Sequence, residues 1–196
     1  MMYFVPVFKA GIWNAWIFMS VFIIQMLIIM LAGEKVNKRS HIPAEARLNK
    51  SEKYTSVIAN IVWLAALLYS VFLPFKPGTI LFYAGLFAFM IGLTILSIAT
   101  YLFITKPPDQ IITQGVYRFS RHPMYLATFL ICLGSGMASG SWIFIILCII
   151  MIFCFHREAL VEEKVCREKY GNVYQEYQNQ IPRWIGLPWR KKGLSI

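Results

Sequence analysis

Three apolar runs, at residues about 12–31, 56–73 and 79–104, approach or exceed the roughly 20 residues an α-helix needs to cross a hydrocarbon core about 30 Å thick. Such runs do not alternate with the polar positions that a water-soluble helix needs. In a chain of 196 residues, 58% hydrophobic against 14% charged is also more apolar surface than one soluble core can hide. The sequence therefore predicts a single all-α integral membrane domain over residues 1–196. Only Lys9 precedes the first run, which is too long and too weakly basic for a cleaved leader, so a retained span is expected there.

A fourth apolar region, 124–155, is long enough for two segments and is interrupted by Gly134, Gly136 and Gly140 among serines and alanines. Small residues of this kind suit a tight turn between antiparallel helices. The first arm is short for a full span, so it is tilted, partly re-entrant or extended through the glycines. Five transmembrane helices result, at about 12–31, 56–73, 79–104, 123–137 and 141–160, the last two forming a helical hairpin followed by a cytoplasmic helical extension.

Basic residues test this count, because Lys and Arg collect in alternate loops when spans are assigned correctly. Lys9 and Lys76 fall on one side, and the other 17 of the 19 Lys and Arg fall on the other. That split predicts a multi-pass protein of the cell membrane with its amino terminus outside and its carboxyl terminus in the cytoplasm. The net charge of +10 is then read as cytoplasmic loops facing anionic membrane lipid, and no nucleic-acid partner is expected. The four cysteines show neither a C-x-x-C pair nor a His/Cys cluster at zinc spacing, so neither a disulfide nor a metal is predicted.

Ala84, Ala88 and Gly92 form a small-residue stripe on the third span, suited to close helix packing. Tyr3, Trp13, Trp16 and Trp142 fit an interfacial aromatic belt. From Trp142 to Tyr170 there is neither proline nor glycine, so the last span is expected to continue as one helix of about 44 Å, with Arg157 and Glu162 near the cytoplasmic interface. Val161, Val165, Tyr170, Val173, Tyr174 and Tyr177 make an apolar stripe on that extension, predicting that it docks, with breaks at Gly171 and Ile181-Pro182.

Gly134, Gly136 and Gly140 loosely resemble a nucleotide-cradling loop, but they join two membrane segments where such a loop needs a βαβ unit. The segment Gly115-Val116-Tyr117-Arg118-Phe119-Ser120-Arg121-His122-Pro123-Met124-Tyr125 is more informative. Pro123 suits the first turn of a helix whose free N–H groups attract an anion, and Arg118 and Arg121 add charge; ordinary positive-inside anchoring is the alternative. On the extension, Glu163 stands four residues before Arg167, as in a surface ion pair. Glu162 has no helical counter-ion and leans toward the apolar stripe, so it calls for a partner, structural or functional. His156 reads as an interfacial side chain, and His41 gives no signal.

Taken in order, G-V-Y-x-x-x-R-H-P-x-Y at Gly115 to Tyr125, the Glu162-Glu163 pair, and the tail Tyr170-Gly171-x-x-Tyr174-x-x-Tyr177 to Ile181-Pro182-Arg183 resemble the isoprenylcysteine carboxyl methyltransferase family, in particular its small prokaryotic integral membrane members. Ala127 stands where that family has glycine. The resemblance implies S-adenosylmethionine as cofactor and S-adenosylhomocysteine as product, bound at the cytoplasmic face between elements 105–125 and 156–196. It implies that Ile112, Tyr117, His122, Pro123, Met124, Tyr125 and Glu162 line the cofactor pocket, and that Arg157, with Glu162, forms the catalytic pair, Arg157 holding the acceptor. The acceptor it implies is a lipidated small molecule or protein, in the first place the carboxylate of an isoprenylated cysteine or analogue.

A carboxylate acceptor needs no general base; it needs a cation to hold it and a greasy cleft for its tail. Phospholipid amine methylation by a related enzyme stands beside this reading. More remote are a membrane reductase with a similar R-H-P-x-Y segment and a non-enzymatic lipid-binding or transport protein. The sequence leaves the physiological acceptor and the oligomeric state open.

Overall fold

A computed structural model describes residues 9–33 and 49–187. Tyr3, the basic residues Lys35, Lys38, Arg39 and Arg47, His41, and the basic tail Arg190, Lys191 and Lys192 lie outside the described residues. Six α-helices form among those described: α1 (Trp16–Leu31), α2 (Lys50–Ser70), α3 (Ile80–Thr105), α4 (Pro123–Ser139), α5 (Trp142–Tyr170) and α6 (Asn172–Gln180). A 3₁₀ turn at Gly115–Arg118 stands between α3 and α4.

Local chemistry sets where these helices start and stop. At the head of α2, Glu52 reaches back to accept the Asn49 N–H at 2.8 Å, which starts the helix at Lys50, earlier than the apolar run alone indicates. Thr79 and Ser141 cap α3 and α5 by accepting from the N–H groups of Phe82 and Phe144. The expected turn across the glycines is confined to one residue. α4 runs through Gly134 and Gly136 and ends at Gly140, whose φ of +64° allows the left-handed cap. Of the three forms open to this short arm, extension through the glycines is the one adopted.

α3 and α4 make the most extensive helix pair, with α2 on α5 and α4 on α5 completing the bundle. The small residues that let α3 approach are Gly85 and Gly92, so the predicted stripe lies one position off at its first member, Ala84. A Cβ on Gly85 would sit 2.6 Å from the Gly134 carbonyl oxygen and the Ala138 nitrogen. Phe18 and Met19 of α1, Phe89 and Leu96 of α3, Ile131 of α4 and Phe144 of α5 fill the core, with the Phe18 and Phe89 rings stacked at 3.9 Å. Gln25, one of the most polar residues of its run, donates to the Thr100 hydroxyl at 3.0 Å and so joins α1 to α3.

The outside of the bundle is apolar: Phe87 is 68% exposed and Phe153 69%, and Ile24, Leu27, Leu64 and Leu68 face outward as well. Water would not tolerate a patch of this extent on a monomer, whereas lipid would. α3 and α5 are long and apolar enough to cross a membrane, while α1 and α4 are apolar but shorter, at 16 and 17 residues. This is the build of a membrane protein. α5 continues past its apolar part as predicted, Gly171 breaks it with φ +56°, and α6 folds back beneath.

Candidate functional site

α6 and the strap that follows it are tied to the connection between α3 and α4. Tyr177 donates its hydroxyl to the Tyr117 carbonyl at 2.8 Å, and Tyr170 donates to that of Pro108 at 3.2 Å. The Arg121 N–H donates to the Pro182 carbonyl, Ser120 Oγ to that of Arg183, and the Gly186 N–H to that of Phe119, each at 3.1 Å. Tyr174, Tyr177 and Ile181 bury themselves against Ile111, Cys166 and Tyr170. The docking face is thus the expected stripe in part only, because Val173 is 66% exposed.

Between these elements lies a cleft of about 370 Å³, lined by Ile112, Tyr117, His122, Pro123, Met124, Tyr125 and Glu162 together with Phe103, Gln110, Arg121, Cys166 and the tyrosines of α6. Its volume falls within the roughly 300–1,000 Å³ of small-molecule sites. Every residue the sequence nominated for cofactor contact is on this wall. A second cavity of about 330 Å³ opens on the other side of Tyr125 and Glu162, between α2 and α5, and carries Arg157 with Glu52, Thr55, Ser56, Glu158 and Lys164. Tyr125 donates its hydroxyl to Glu162 Oε1 at 2.5 Å, so the hydrogen-bonded pair is the wall that the two cavities share. Arg157 is not part of the first cleft.

His122 precedes Pro123 at the start of α4, but its ring does not cap that helix. Nδ1 lies 3.3 Å from Glu162 Oε2, and Nε2 lies 3.3 Å from Glu163 Oε1. Both partners only accept, so a ring protonated on both nitrogens satisfies both. Burial opposes that charge, yet the hydrogen bonds to Glu162 and Glu163 outweigh burial and raise the imidazole pKa above its usual value. The rings of His122 and Tyr125 stack nearly parallel at 5.6 Å, and Tyr125 stacks on Phe155 at 4.9 Å, fixing this edge of the cleft to the membrane part of α5.

Glu163 departs most from expectation. It is not a surface partner of Arg167, which reaches Gln178. Its side chain is 2% exposed, and besides His122 it accepts from Arg183 and Gln178 and lies 3.0 Å from Arg121 Nη2. Burial would raise its carboxyl pKa, but the Arg183 and His122 hydrogen bonds and the charges of Arg121 and Arg183 hold it well below the usual carboxylate range. Arg121, which reads from sequence as a topology signal, is 10% exposed here, and its Nε is a buried donor without a partner on the cleft wall. That orphaned donor suits an anionic group on a ligand, as half-exposed Glu162 suits a cationic one.

Residues 74–173, half of the chain, match the phospholipid methyltransferase family. The chain belongs to that family. Among curated relatives it is 28% identical over 161 residues to the protein-S-isoprenylcysteine O-methyltransferase of Rattus norvegicus, covering 76% of this chain and 55% of the relative. Proteins of the same name from Schizosaccharomyces pombe and Saccharomyces cerevisiae are 28% identical over 78 residues and 30% identical over 86, covering 39% and 43% of this chain. The chain spans between about a third and about half of the length of these relatives. Within the phospholipid methyltransferase family its likeness is thus to the isoprenylcysteine carboxyl methyltransferases, which agrees with the resemblance carried by the R-H-P-x-Y segment.

The matched region of this family member includes α3, the cleft-forming connection, α4 and nearly all of α5. Arg183 and Gln178 lie beyond it. No helical spacing links Glu163 to Arg121 or Arg183, so the contacts that close the site were not readable from any local pattern; only the tail motif's Arg183 pointed toward it.

Proposed function

We propose that this phospholipid methyltransferase family member transfers a methyl group from S-adenosylmethionine to the carboxylate of a lipid-bearing acceptor, an isoprenylated cysteine or an analogue, at the cytoplasmic face of the membrane. The observation that carries the reading is the pair of cavities sharing the Tyr125–Glu162 wall, one holding the nominated cofactor residues and the other Arg157. When bound, S-adenosylmethionine supplies a sulfonium-activated methyl group: the new bond forms to a carboxylate oxygen, the C–S bond breaks, and its electron pair stays on sulfur.

The residues of the chain do the rest. Glu162 and Tyr125 present a carboxylate and an aromatic face to the cationic part of the cofactor, and the positive charge of Arg121 and His122 faces its carboxylate. Arg157 holds the acceptor carboxylate, which is already ionised at neutral pH and gives up no proton. The aromatic walls of Tyr117, Tyr174 and Tyr177 exclude water, so alignment and desolvation supply the acceleration. Supporting a cytoplasmic site is the 17-to-2 distribution of basic residues, which fits five membrane spans, α1 to α5, with the amino terminus outside.

The test is calorimetric titration of the detergent-solubilised protein with S-adenosylhomocysteine, followed by a methyl-transfer assay on a prenylated cysteine. Binding by the wild type, and its loss in Glu162→Ala and His122→Ala, is expected; no heat and no thermal stabilisation in the wild type would sink the reading. The family's description favours a second reading, methylation of a phospholipid amine. An ammonium must lose a proton before it attacks, so a rate climbing steeply toward alkaline pH would mark that reaction.

A further inference from the structure

We propose that Glu158 reads a positively charged nitrogen next to the acceptor's carboxylate, so that the preferred acceptor is an S-alkylated cysteine with a free α-ammonium. This rests on the acceptor reading above and extends it from the group that is methylated to its neighbour.

Three carboxylates line the cavity between α2 and α5, and two of them are engaged. Glu52 accepts the Asn49 N–H at the head of α2. Glu162 accepts from Tyr125 and lies against His122. Glu158 has only the Ser56 hydroxyl, at 3.2 Å, and no cation reaches it among the described residues. It is half-buried, at the end of the helix's apolar part, where an ionised group without a counter-ion is costly unless a ligand provides one.

Arg157 sits beside it in sequence and also lines the cavity, and no carboxylate pairs with it among the described residues. Successive helical residues diverge by about 100°, so the two charges address different ends of whatever enters. An α-amino acid has that layout, a carboxylate and an ammonium on one carbon. Leu160 and Val161 on the same wall offer apolar surface to its alkyl chain. A desamino acid would satisfy Arg157 and leave Glu158 facing nothing.

The experiment compares kcat/KM for S-prenylated cysteine and for its desamino analogue, the S-prenylated thiopropionate, in wild type, Glu158→Gln and Ser56→Ala. Glutamine keeps the bond to Ser56 and removes the charge, and S-adenosylhomocysteine affinity reports whether each variant is folded. Wild type and S56A should prefer the free-amine acceptor by about tenfold or more, in line with a charge-assisted hydrogen bond, and the ratio should fall to about one in E158Q. Equal use of the two acceptors by the wild type, or a ratio that E158Q leaves unchanged, overturns the inference while the methyltransferase reading stands. Methylation of neither acceptor overturns the carboxylate reading and this inference together.

Discussion

Arg183 meets Glu163 through two parallel hydrogen bonds, Nε to Oε1 and Nη2 to Oε2, both at 2.8 Å. The guanidinium belongs to the strap after α6 and the carboxylate to the middle of the cytoplasmic part of α5. Because Arg121, His122 and Gln178 converge on the same carboxylate, four segments of chain meet at one buried charge. Two guanidinium groups and an imidazole around a single carboxylate leave a positive surplus beside the cleft, which is where an anionic ligand group would be drawn.

Removing that carboxylate should unlock the strap. Glu163→Ala leaves Arg121 and Arg183 facing each other without compensation, and breaking a buried pair in this way costs about 3–5 kcal/mol. Arg183→Ala should cost less, because Arg121 and His122 still pair with Glu163. Unfolding of both variants in micelles, followed by denaturant titration, measures the difference; a loss under about 1 kcal/mol in E163A would mean that the strap is held by its backbone hydrogen bonds instead.

The same contacts set a pH profile with two limbs of opposite sign. The Glu163 pKa is depressed on folding, so the stability it contributes is present above the unfolded carboxyl value of about 4.3 and is lost as pH falls below that toward the folded value. The His122 pKa is raised on folding, so its contribution is present below the unfolded value of about 6.5 and is lost as pH rises through the folded value. Thermal midpoints should therefore be greatest between about pH 5 and 6.5. His122→Asn should flatten the alkaline limb and leave the acid limb in place.

The spans and the length of α5 were legible because hydropathy and the absence of helix breakers are local properties. So was the set of residues lining the cleft, since the motif from Gly115 to Tyr125 is one contiguous corner and Glu162 stands in a recognisable helical context. What could not be read was the direction in which neighbouring side chains point once α6 folds back. Glu162 and Glu163 are adjacent in sequence, yet one faces the cleft at 48% exposure and the other is 2% exposed beneath it. Arg167 at i+4 looked like the partner of Glu163, and two arginines far along the chain took that place because a buried carboxylate gains more from them than an exposed pair gains in water. The glycine region was misjudged for a related reason: α3 needed Gly134 inside a helix, where the chain alone suggests a turn.

Cys166 offers a probe of the cleft that does not depend on turnover. Burial, and then the nearby charge of Glu162, pushes its thiol up to about 11, so very little thiolate exists at neutral pH. Alkylation by iodoacetamide at pH 8 should run on the order of a hundredfold more slowly than for a free cysteine. S-adenosylhomocysteine should slow it further by covering the residue. Mass spectrometry of the Cys166 peptide with and without the compound measures both effects, and unchanged labelling on saturation would separate this thiol from the ligand site.

The closest approach in the bundle makes the sharpest mutational prediction. A Cβ on Gly134 would lie 2.6 Å from the Gly85 carbonyl oxygen and 2.9 Å from the Phe89 nitrogen, both backbone atoms that cannot rotate away. Gly134→Ala must therefore push α3 and α4 apart along their most extensive contact, and overpacking of this kind costs about 1–3 kcal/mol. Since α4 begins at His122-Pro123 and α3 ends beside the cleft, the separation should also loosen S-adenosylhomocysteine binding at a distance from the substitution. Gly171→Ala is the matched control: nothing lies within 4 Å of its added Cβ, so only the strain at φ +56° is felt there. Equal losses of affinity in the two variants would show that the α3–α4 spacing does not hold the cleft in shape.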